Sequence, residues 1–191
     1  MTDFTTRPLA PGTWKDFERV MGSNGGARGC WCMHWRLPFK EWQAGAGDGN
    51  RDALRTRSAQ RPPPGLVCYL DDEPVGWVGI GARPEYPRLR RSPVTKALDT
   101  APVWVINCLF VRRDHRHRGL QTKMITAACG FAAENGQHTV EGFPVDPAPG
   151  RTAGADNAMT GIASAFRAAG FTEVARRRKD RPAMRRTVDG T

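Results

Sequence analysis

The stretch that decides the fold is 103–136, which is VWVINCLFVRRDHRHRGLQTKMITAACGFAAENG. Its first part, 103–111, is rich in Val, Ile, Trp and Phe, which is the composition of a buried strand. A basic, glycine-containing turn follows. Apolar residues then recur three or four positions apart, as on one face of a helix: Leu120, Met124, Ala127, Ala128 and Phe131. Asn135 and Gly136 form a typical helix stop. The stretch therefore predicts a strand, a turn and a helix in direct succession.

The turn between this strand and this helix has the features of an anion-binding site. The free N–H groups at the start of a helix and the positive end of its dipole attract negative charge. Arginines in the turn add positive charge, and Gly119 lets a ligand approach the backbone closely. We therefore expect the turn to bind a phosphate or pyrophosphate. The alternative is an ordinary strand-to-helix turn with a solvated basic loop.

The sequence of this turn resembles the pyrophosphate loop of the GNAT superfamily of acyl-CoA N-acyltransferases, which is Arg/Gln-x-x-Gly-x-Gly/Ala. The match holds through five positions and ends at Gln121, where the family has a small residue. A side chain at this position is compatible with a helix, and it would either crowd the pyrophosphate or add an amide contact. The resemblance implies a cofactor loop made of Arg116, His117, Arg118, Gly119, Leu120 and Gln121.

The order of predicted elements along the chain is also similar to that of the GNAT fold. The segment FRAAGF at 166–171 resembles the superfamily's closing helix and Gly-Phe pair, and a helix is predicted over 159–169. A long polar connection is expected over 83–102. The resemblance implies an α/β fold with a mixed central β-sheet of about seven strands flanked by helices. In that fold a splayed strand pair forms the CoA cleft.

Size and composition predict one globular domain over 1–191. The chain has 191 residues, of which 39% are hydrophobic and 25% charged. No apolar run approaches the roughly 20 residues that span a membrane, and the first residues lack the basic and apolar regions of a signal peptide. We therefore expect a cytoplasmic protein that does not enter a membrane.

The formal charge of +10 indicates an anionic ligand or nucleic acid. Much of the excess lies in 112–118 and in RRRKDRPAMRR at 176–186. The phosphates of CoA explain the first cluster. We interpret the second as a solvated pair of strands rather than a nucleic-acid clamp, because no nucleic-acid-binding motif accompanies it.

In GNAT enzymes the strand before the pyrophosphate loop separates from its neighbour, and the pantetheine arm enters the gap. The resemblance implies that Leu109, Phe110 and Val111 bind pantetheine through main-chain hydrogen bonds. It also implies acetyl-CoA as the acyl donor, with no metal. The alternative for these three residues is a plain core strand.

Acyl transfer to an amine requires that the amine loses a proton, that the carbonyl is polarised and that the thiolate leaves. A backbone N–H of the strand usually polarises the carbonyl. Many GNAT enzymes have a tyrosine four residues before the Gly-Phe pair to protonate the thiolate, but this chain has Phe166. Three alternatives remain open: a hydroxyl of the same helix (Ser164 or Thr160), water, or a protein that binds CoA and catalyses poorly.

Glu141 is the first candidate for the general base, because it lies in the strand expected across the cleft. The alternative is a surface carboxylate or a salt bridge to one of the many arginines. Three further candidates are weaker: Asp146, Glu85 and His34.

The segment 30–42 is dense in aromatic residues and contains Cys30-x-Cys32-x-His34. Structural zinc sites usually separate paired cysteines by about two to four residues, so we expect no metal here. In GNAT proteins this region commonly forms part of the acceptor site. We therefore expect Trp31, Trp35 and Arg36, with Trp42 as an additional candidate, to bind a flat or apolar acceptor, Arg36 pairing with a carboxylate. Tyr86 is expected at the edge of the same cleft.

These features together predict an N-acetyltransferase that moves an acetyl group from acetyl-CoA directly to a primary amine of a small molecule or peptide. A covalent cysteine route is disfavoured, because Cys108 has no evident activating base in its apolar run. One alternative is a CoA-binding regulatory or degenerate domain, supported by Phe166 and Gln121. The other is a nucleic-acid-binding protein that uses the basic C-terminal strands. A homodimer is common in the family.

Overall fold

The computed structural model describes residues 3–188, apart from the side chains of residues 155 and 156. Within this range seven strands form one sheet in the order β1-β2-β3-β4-β5-β7-β6. The strands are β1 (Phe4–Pro8), β2 (Gly65–Leu70), β3 (Glu73–Ala82), β4 (Trp104–Val111), β5 (Thr139–Gly142), β6 (Thr172–Arg178) and β7 (Arg181–Thr187). The helices are α1 (Trp14–Met21), α2 (Phe39–Ala44), α3 (Asp48–Ser58), α4 (Pro87–Arg91), α5 (Leu120–Glu134), α6 (Ala155–Ala158) and α7 (Ala163–Ala168). The expected α/β fold is confirmed.

The sheet is covered on both faces, as the alternation along β2 shows. Leu66, Cys68 and Leu70 belong to the core that includes α5 and α7. The intervening residues, Val67 and Tyr69, belong to a second core with α1 and the loop after it. Because successive side chains of a strand point to opposite faces, one strand contributes to both cores.

The strands β4 and β5 run parallel and pair over only three residues each, 104–106 with 140–142. Beyond that point β5 ends while β4 continues to Val111. A gap, called here the β4–β5 opening, is therefore left beside residues 107–111. The expected splayed strand pair is confirmed.

The helix expected over 159–169 is wrong at its start, because α7 begins only at Ala163. Gly161 has a φ of +86°, which interrupts a helix. The carbonyl of Met159 accepts a hydrogen bond from the N–H of Leu109 at 2.7 Å, and Ile162 forms a parallel bridge with Val145. The segment 159–162 is therefore a turn that ends in an extended Ile162, and it satisfies a backbone group of β4 in the β4–β5 opening.

The connection expected over 83–102 contains the short helix α4, which the sequence pattern did not predict. Its Leu89 is buried with Tyr86 in a third cluster that includes Val103 and Phe143. The prolines of this stretch indicated an irregular connection, although part of it packs on the sheet.

Phe166 is fully buried and stacks edge-on against Phe171, with 4.9 Å between ring centroids. A Cβ on Gly142 would lie 2.2 Å from the Phe166 ring. The ring therefore closes the core directly behind the end of β5, and Gly142 is needed for that close approach.

We expect Gly142→Ala to lower the free energy of unfolding by about 1–3 kcal/mol, because the added methyl must displace a packed ring. Chemical denaturation measures this change. Gly130→Ala on α5 is the control, since no atom lies within 4 Å of its Cβ position. Alanine is the better helix former, so the control should be neutral or stabilising by up to about 1 kcal/mol. Equal effects of the two substitutions would contradict the close packing.

Candidate active site

The turn between β4 and α5 has the backbone of an anion-binding loop. His117 (φ +62°) and Gly119 (φ +70°) are both left-handed. Helix α5 begins at Leu120 with no side-chain cap, and no described atom lies within 4 Å of a Cβ position on Gly119. The first N–H groups of α5 are therefore accessible to a ligand beside a glycine that leaves room for it.

The arginines of this turn divide into two groups. Arg112 pairs with Glu73 and Asp114, both at 2.7 Å. Arg116 donates from Nε to the carbonyl of Val111 at 3.0 Å, and Arg118 donates to the carbonyl of Asp114 at 3.4 Å. Neither of these two forms an ion pair with a side chain of residues 3–154 or 157–188, so their positive charges remain available to an anion.

Gln121 connects the loop to the segment in the β4–β5 opening. Its Oε1 accepts a hydrogen bond from the N–H of Ile162 at 3.3 Å. The residue that departs from the family pattern thus has a partner inside the protein.

The backbone edge of β4 faces the opening at alternate residues. The N–H of Leu109 points there, since it bonds to Met159. Backbone N–H groups of a strand alternate between its two edges, so the N–H of Val111 lies on the same edge as that of Leu109. The backbone of Phe110 is directed to the other edge, towards its partner Trp77 in β3. The two-residue spacing offers a ligand chain hydrogen-bonding groups at Leu109 and Val111.

A cavity of about 350 Å³ adjoins the opening. It is formed by the loop after α1, the α4 region, the middle of β4, the residue after β5, the segment 157–160 and the turn between β6 and β7. One part of its wall is apolar or aromatic: Trp35, Trp42, Leu89, Ile106, Phe143 and Met159. Polar groups include His34, Asn107, Thr160 and Arg181. Among the described residues that line it there is no Asp or Glu.

Of the residues expected to bind the acceptor, Trp35 and Trp42 line this cavity. Trp31 is buried against Phe17 instead, with ring centroids 6.0 Å apart. Arg36 and Tyr86 also lie in the core rather than on the cavity wall.

The side chain of Arg36 is fully buried and its two terminal nitrogens are committed inside the protein, whereas its Nε has no hydrogen-bond partner among the described residues. It bonds to the Glu85 carboxylate at 2.7 Å, to the Tyr86 hydroxyl at 2.9 Å and to the Pro64 carbonyl at 3.0 Å. A buried cation needs such partners, because desolvation without them is costly. Arg36 therefore joins the 83–86 segment to the fold.

Glu141, the expected base, is 1% exposed and lies between two guanidinium groups. It accepts hydrogen bonds from Arg83 at 3.1 Å and from Arg185 at 2.5 Å and 3.1 Å. It is not among the residues lining the cavity. The arrangement matches the salt-bridge alternative of the sequence interpretation.

The two candidate hydroxyls lie in different environments. Ser164 is exposed on α7. Thr160 lines the cavity, and its Oγ1 accepts a hydrogen bond from Arg181 at 2.5 Å. Only Thr160 is next to the β4–β5 opening.

The sequence analysis did not predict a site role for two residues that line the cavity, Asn107 and Arg181. Asn107 is 4% exposed, and neither its Oδ1 nor its Nδ2 has a hydrogen-bond partner among the described residues. It is the one amide in the apolar run 103–111, which was a usable signal. Arg181 could not be distinguished among the many arginines near the C-terminus.

His34 borders the cavity edge-on to Trp35 and Trp42, with centroid distances of 4.9 Å and 5.0 Å. Burial lowers its pKa to about 4, and the charge of Arg88 acts in the same direction. Arg88 Nη1 lies 3.1 Å from His34 Nδ1, so Nδ1 accepts and the proton of the neutral ring sits on Nε2. At neutral pH His34 is therefore a hydrogen-bond donor towards its surroundings.

Neither a metal-binding cluster nor a membrane-spanning helix is present among residues 3–154 and 157–188. No group of three or more His, Cys, Asp or Glu side chains there could hold a metal ion, and all five cysteines are free and buried. None of the helices in this part of the chain is long and apolar enough to span a bilayer.

Comparison with known proteins identifies a family. The family model described as "Acetyltransferase (GNAT) family" matches residues 31–148. The search of curated proteins returned no match.

Many solved structures share the fold. A protein assigned as arylalkylamine N-acetyltransferase 7 of the yellow fever mosquito is 12% identical with a TM-score of 0.60, covering 97% of this chain and 88% of that one. The PaiA N-acetyltransferase of Thermoplasma acidophilum with coenzyme A is 12% identical (TM-score 0.53, 97% and 99%). The aminoglycoside acetyltransferase AAC(6')-Ib with coenzyme A is 16% identical (TM-score 0.51, 97% and 95%).

We expect an NMR titration to show that His34 stays neutral until the pH approaches about 4. An unfolded histidine has a pKa of about 6.5, so the unfolded state gains this proton first. This contribution to stability is therefore fully present above about pH 6.5 and is lost as the pH falls towards 4.

Arg88→Met should raise the His34 pKa part of the way back, since it removes the charge but not the burial. Arg90→Met is the matched control, because Arg90 lies on the same helix and is exposed. A His34 titration midpoint near 6.5 in the unmutated protein would refute the buried, neutral imidazole.

Proposed function

This chain belongs to the acetyltransferase (GNAT) family, as the resemblance of its loop predicted, and we propose that it moves an acetyl group from acetyl-CoA to a primary amine. The transfer is direct, within a ternary complex. One observation carries the proposal: the β4–β5 opening has an anion-binding loop at one end and a cavity beside it. A donor and an acceptor can thus meet at one strand edge.

The loop from Arg116 to Gln121 fits a pyrophosphate by three independent properties. Its helix start is uncapped, the space at Gly119 is open, and Arg116 and Arg118 form no ion pair within the described chain. We propose that the 3′,5′-ADP and pyrophosphate of acetyl-CoA lie against this loop. Bound acetyl-CoA supplies the activated thioester.

The pantetheine arm would then follow the β4 edge by bonding to Leu109 and Val111. The thioester carbonyl would be polarised by the N–H of Leu109. In the structure this N–H donates a hydrogen bond to the carbonyl of Met159 at 2.7 Å. Donor binding in this position requires that hydrogen bond to open. We therefore propose that the segment 159–162 shifts when the donor enters.

For the leaving thiolate we propose Thr160 as the nearest hydroxyl. It lines the cavity beside Met159, and the hydrogen bond from Arg181 favours loss of its proton by placing positive charge at the oxygen. Ser164, the other candidate, is exposed on the outer face of α7. Phe166 is committed to the core and has no proton to offer.

The nucleic-acid alternative is less well supported, because many basic side chains of β6 and β7 are engaged within the protein. Arg176 pairs with Glu173 and Asp146, and Arg185 pairs with Asp99 and Glu141. Phosphate contacts would have to compete with these ion pairs.

We expect isothermal titration calorimetry to detect acetyl-CoA binding, and Gly119→Glu to weaken it at least about 100-fold. The added carboxylate would occupy the space of the pyrophosphate and repel it. Gly150→Glu is the matched control: its φ is +74° and its Cβ position is also open, but it lies outside the loop. Unaltered binding by Gly119→Glu would remove the loop from the donor site.

Thr160→Val should lower kcat by about 100-fold at saturating substrates, the low end of the effect of a positioned proton donor. Thr160→Ser should restore most of the rate, because it keeps the hydroxyl. Ser164→Ala should stay within twofold of the unmutated protein. Release of CoA measured with a thiol reagent gives each rate, and the reverse order of the two effects would transfer the role to Ser164.

A further inference from the structure

We infer that the acceptor is an amino carboxylate, a small molecule that carries a primary amine, an apolar or aromatic body and a carboxylate that pairs with Arg181. This inference rests on the proposed function and deepens it by naming the substrate class. The cavity beside the β4–β5 opening is the binding site.

Arg181 is the first observation. Its donors go only to neutral oxygens: the carbonyls of Phe143 (3.3 Å) and Asn157 (3.2 Å), the Oδ1 of Asn157 (3.2 Å) and the hydroxyl of Thr160. It forms no ion pair with the side chains that the structure describes, those of 3–154 and 157–188, and burial lowers its pKa. A half-buried guanidinium on a cavity wall without a counter-ion favours a carboxylate, which it can bind with two parallel hydrogen bonds.

The charges on the rest of the cavity wall also favour an acceptor with a negatively charged group. No Asp or Glu lines the cavity among the described residues. Arg178, which also lines it, is already neutralised by Asp180 at 2.6 Å and 3.0 Å. A polycation such as a polyamine would meet positive charge and find no acidic partner among the described lining residues, which disfavours that class.

Asn107 is the second, independent observation. Its amide is buried on the cavity wall, with both polar atoms lacking a partner in the described chain. It borders the Tyr86 hydroxyl, but that contact does not have hydrogen-bond geometry. A buried amide without partners is unfavourable, and a ligand that bonds to it removes this cost.

The position of Asn107 in β4 indicates which ligand group it binds. It lies two residues before Leu109, on the strand whose backbone is proposed to hold the thioester. An amine that donates an N–H to Asn107 Oδ1 would therefore sit next to the reacting carbonyl. We assign Asn107 as the residue that positions the amine.

The two tryptophans determine the body of the acceptor. Trp35 and Trp42 both meet His34 edge-on, so flat apolar surfaces border the space beside the amine position. The volume of about 350 Å³ is near the lower end for small-molecule sites, which run from roughly 300 to 1,000 Å³. The cavity suits a molecule of amino-acid size.

The test compares acceptors that share one body. L-tryptophan, L-tryptophanamide, tryptamine and spermidine are assayed by CoA release, with each kcat/KM corrected for the neutral fraction of the amine. Leucine and phenylalanine, with their amides, repeat the comparison for smaller bodies. We expect each carboxylate to exceed its amide by about tenfold, as one charge-assisted pair provides.

Variants then test which residue causes the preference for carboxylates over amides. Arg181→Met should abolish the preference by raising KM for the carboxylate, while KM for the amide stays within about twofold. Arg181→Lys should keep part of the preference. Asn107→Ala should lower kcat/KM for carboxylate and amide alike. Arg167→Met is the control, since Arg167 is exposed on α7 and pairs with Asp146.

The outcomes separate this inference from the proposed function. Faster turnover of amides or spermidine than of carboxylates overturns the inference and leaves the acetyltransferase in place. So does an Arg181→Met variant that raises KM equally for all acceptors; a fall in kcat common to all of them instead follows from the lost hydrogen bond to Thr160. Calorimetry on the CoA-saturated protein provides a readout without turnover: failure of all three amino carboxylates to bind at millimolar concentration also overturns the inference. Loss of acetyl-CoA binding itself would instead reject the proposed function.

Discussion

The early end of the pairing between β4 and β5 is the constraint on which the rest of the site depends. After residues 106 and 142 the two strands no longer share hydrogen bonds, so the edge of β4 at Leu109 and Val111 needs other partners. Buried backbone groups are rarely left unpaired. The protein satisfies Leu109 with the carbonyl of Met159, and Gly161 makes this possible by turning the chain into the opening. The same edge is where the pantetheine arm is proposed to bind.

This arrangement links three features that are distant in sequence. Gln121 at the start of α5 bonds to Ile162, and Thr160 of the same segment bonds to Arg181 in the cavity wall. The proposed donor loop, the segment in the opening and the proposed acceptor cavity are thus joined by a short series of hydrogen bonds. A shift of 159–162 on donor binding would alter the hydrogen bond of Gln121 to Ile162 and that of Arg181 to Thr160. Donor binding at the loop would therefore change the position of side chains in the cavity wall.

The sequence predicted the fold and the strand, turn and helix around the proposed anion loop well, because these depend on local patterns. The apolar run, the glycine and the three- to four-residue periodicity of 103–136 need no distant partner to be recognised. The acceptor side was predicted less well, because its residues meet only through tertiary contacts. Arg36 and Arg181 are chemically alike in the sequence, yet the first is held by Glu85 and the second has no carboxylate partner within the described chain. Only packing decides which arginine faces the cavity. The late start of α7 also depends on a tertiary contact. The carbonyl of Met159 accepts a hydrogen bond from the N–H of Leu109 instead of continuing the helix that the local pattern predicts.

The cavity also bears on how the amine loses its proton. The oxygens of Glu141 already accept hydrogen bonds from Arg83 and Arg185, and His34 presents a donor rather than a lone pair. No carboxylate lines the described wall to hold an ammonium ion, and apolar side chains such as Trp35 and Phe143 desolvate it. Desolvation lowers the pKa of an amine, so the bound acceptor shifts towards its neutral, nucleophilic form. A substrate carboxylate would oppose this shift, and its pairing with Arg181 reduces that opposition. On this view the wall itself does part of the work of a general base, and Asn107 needs only to aim the neutral amine at the carbonyl.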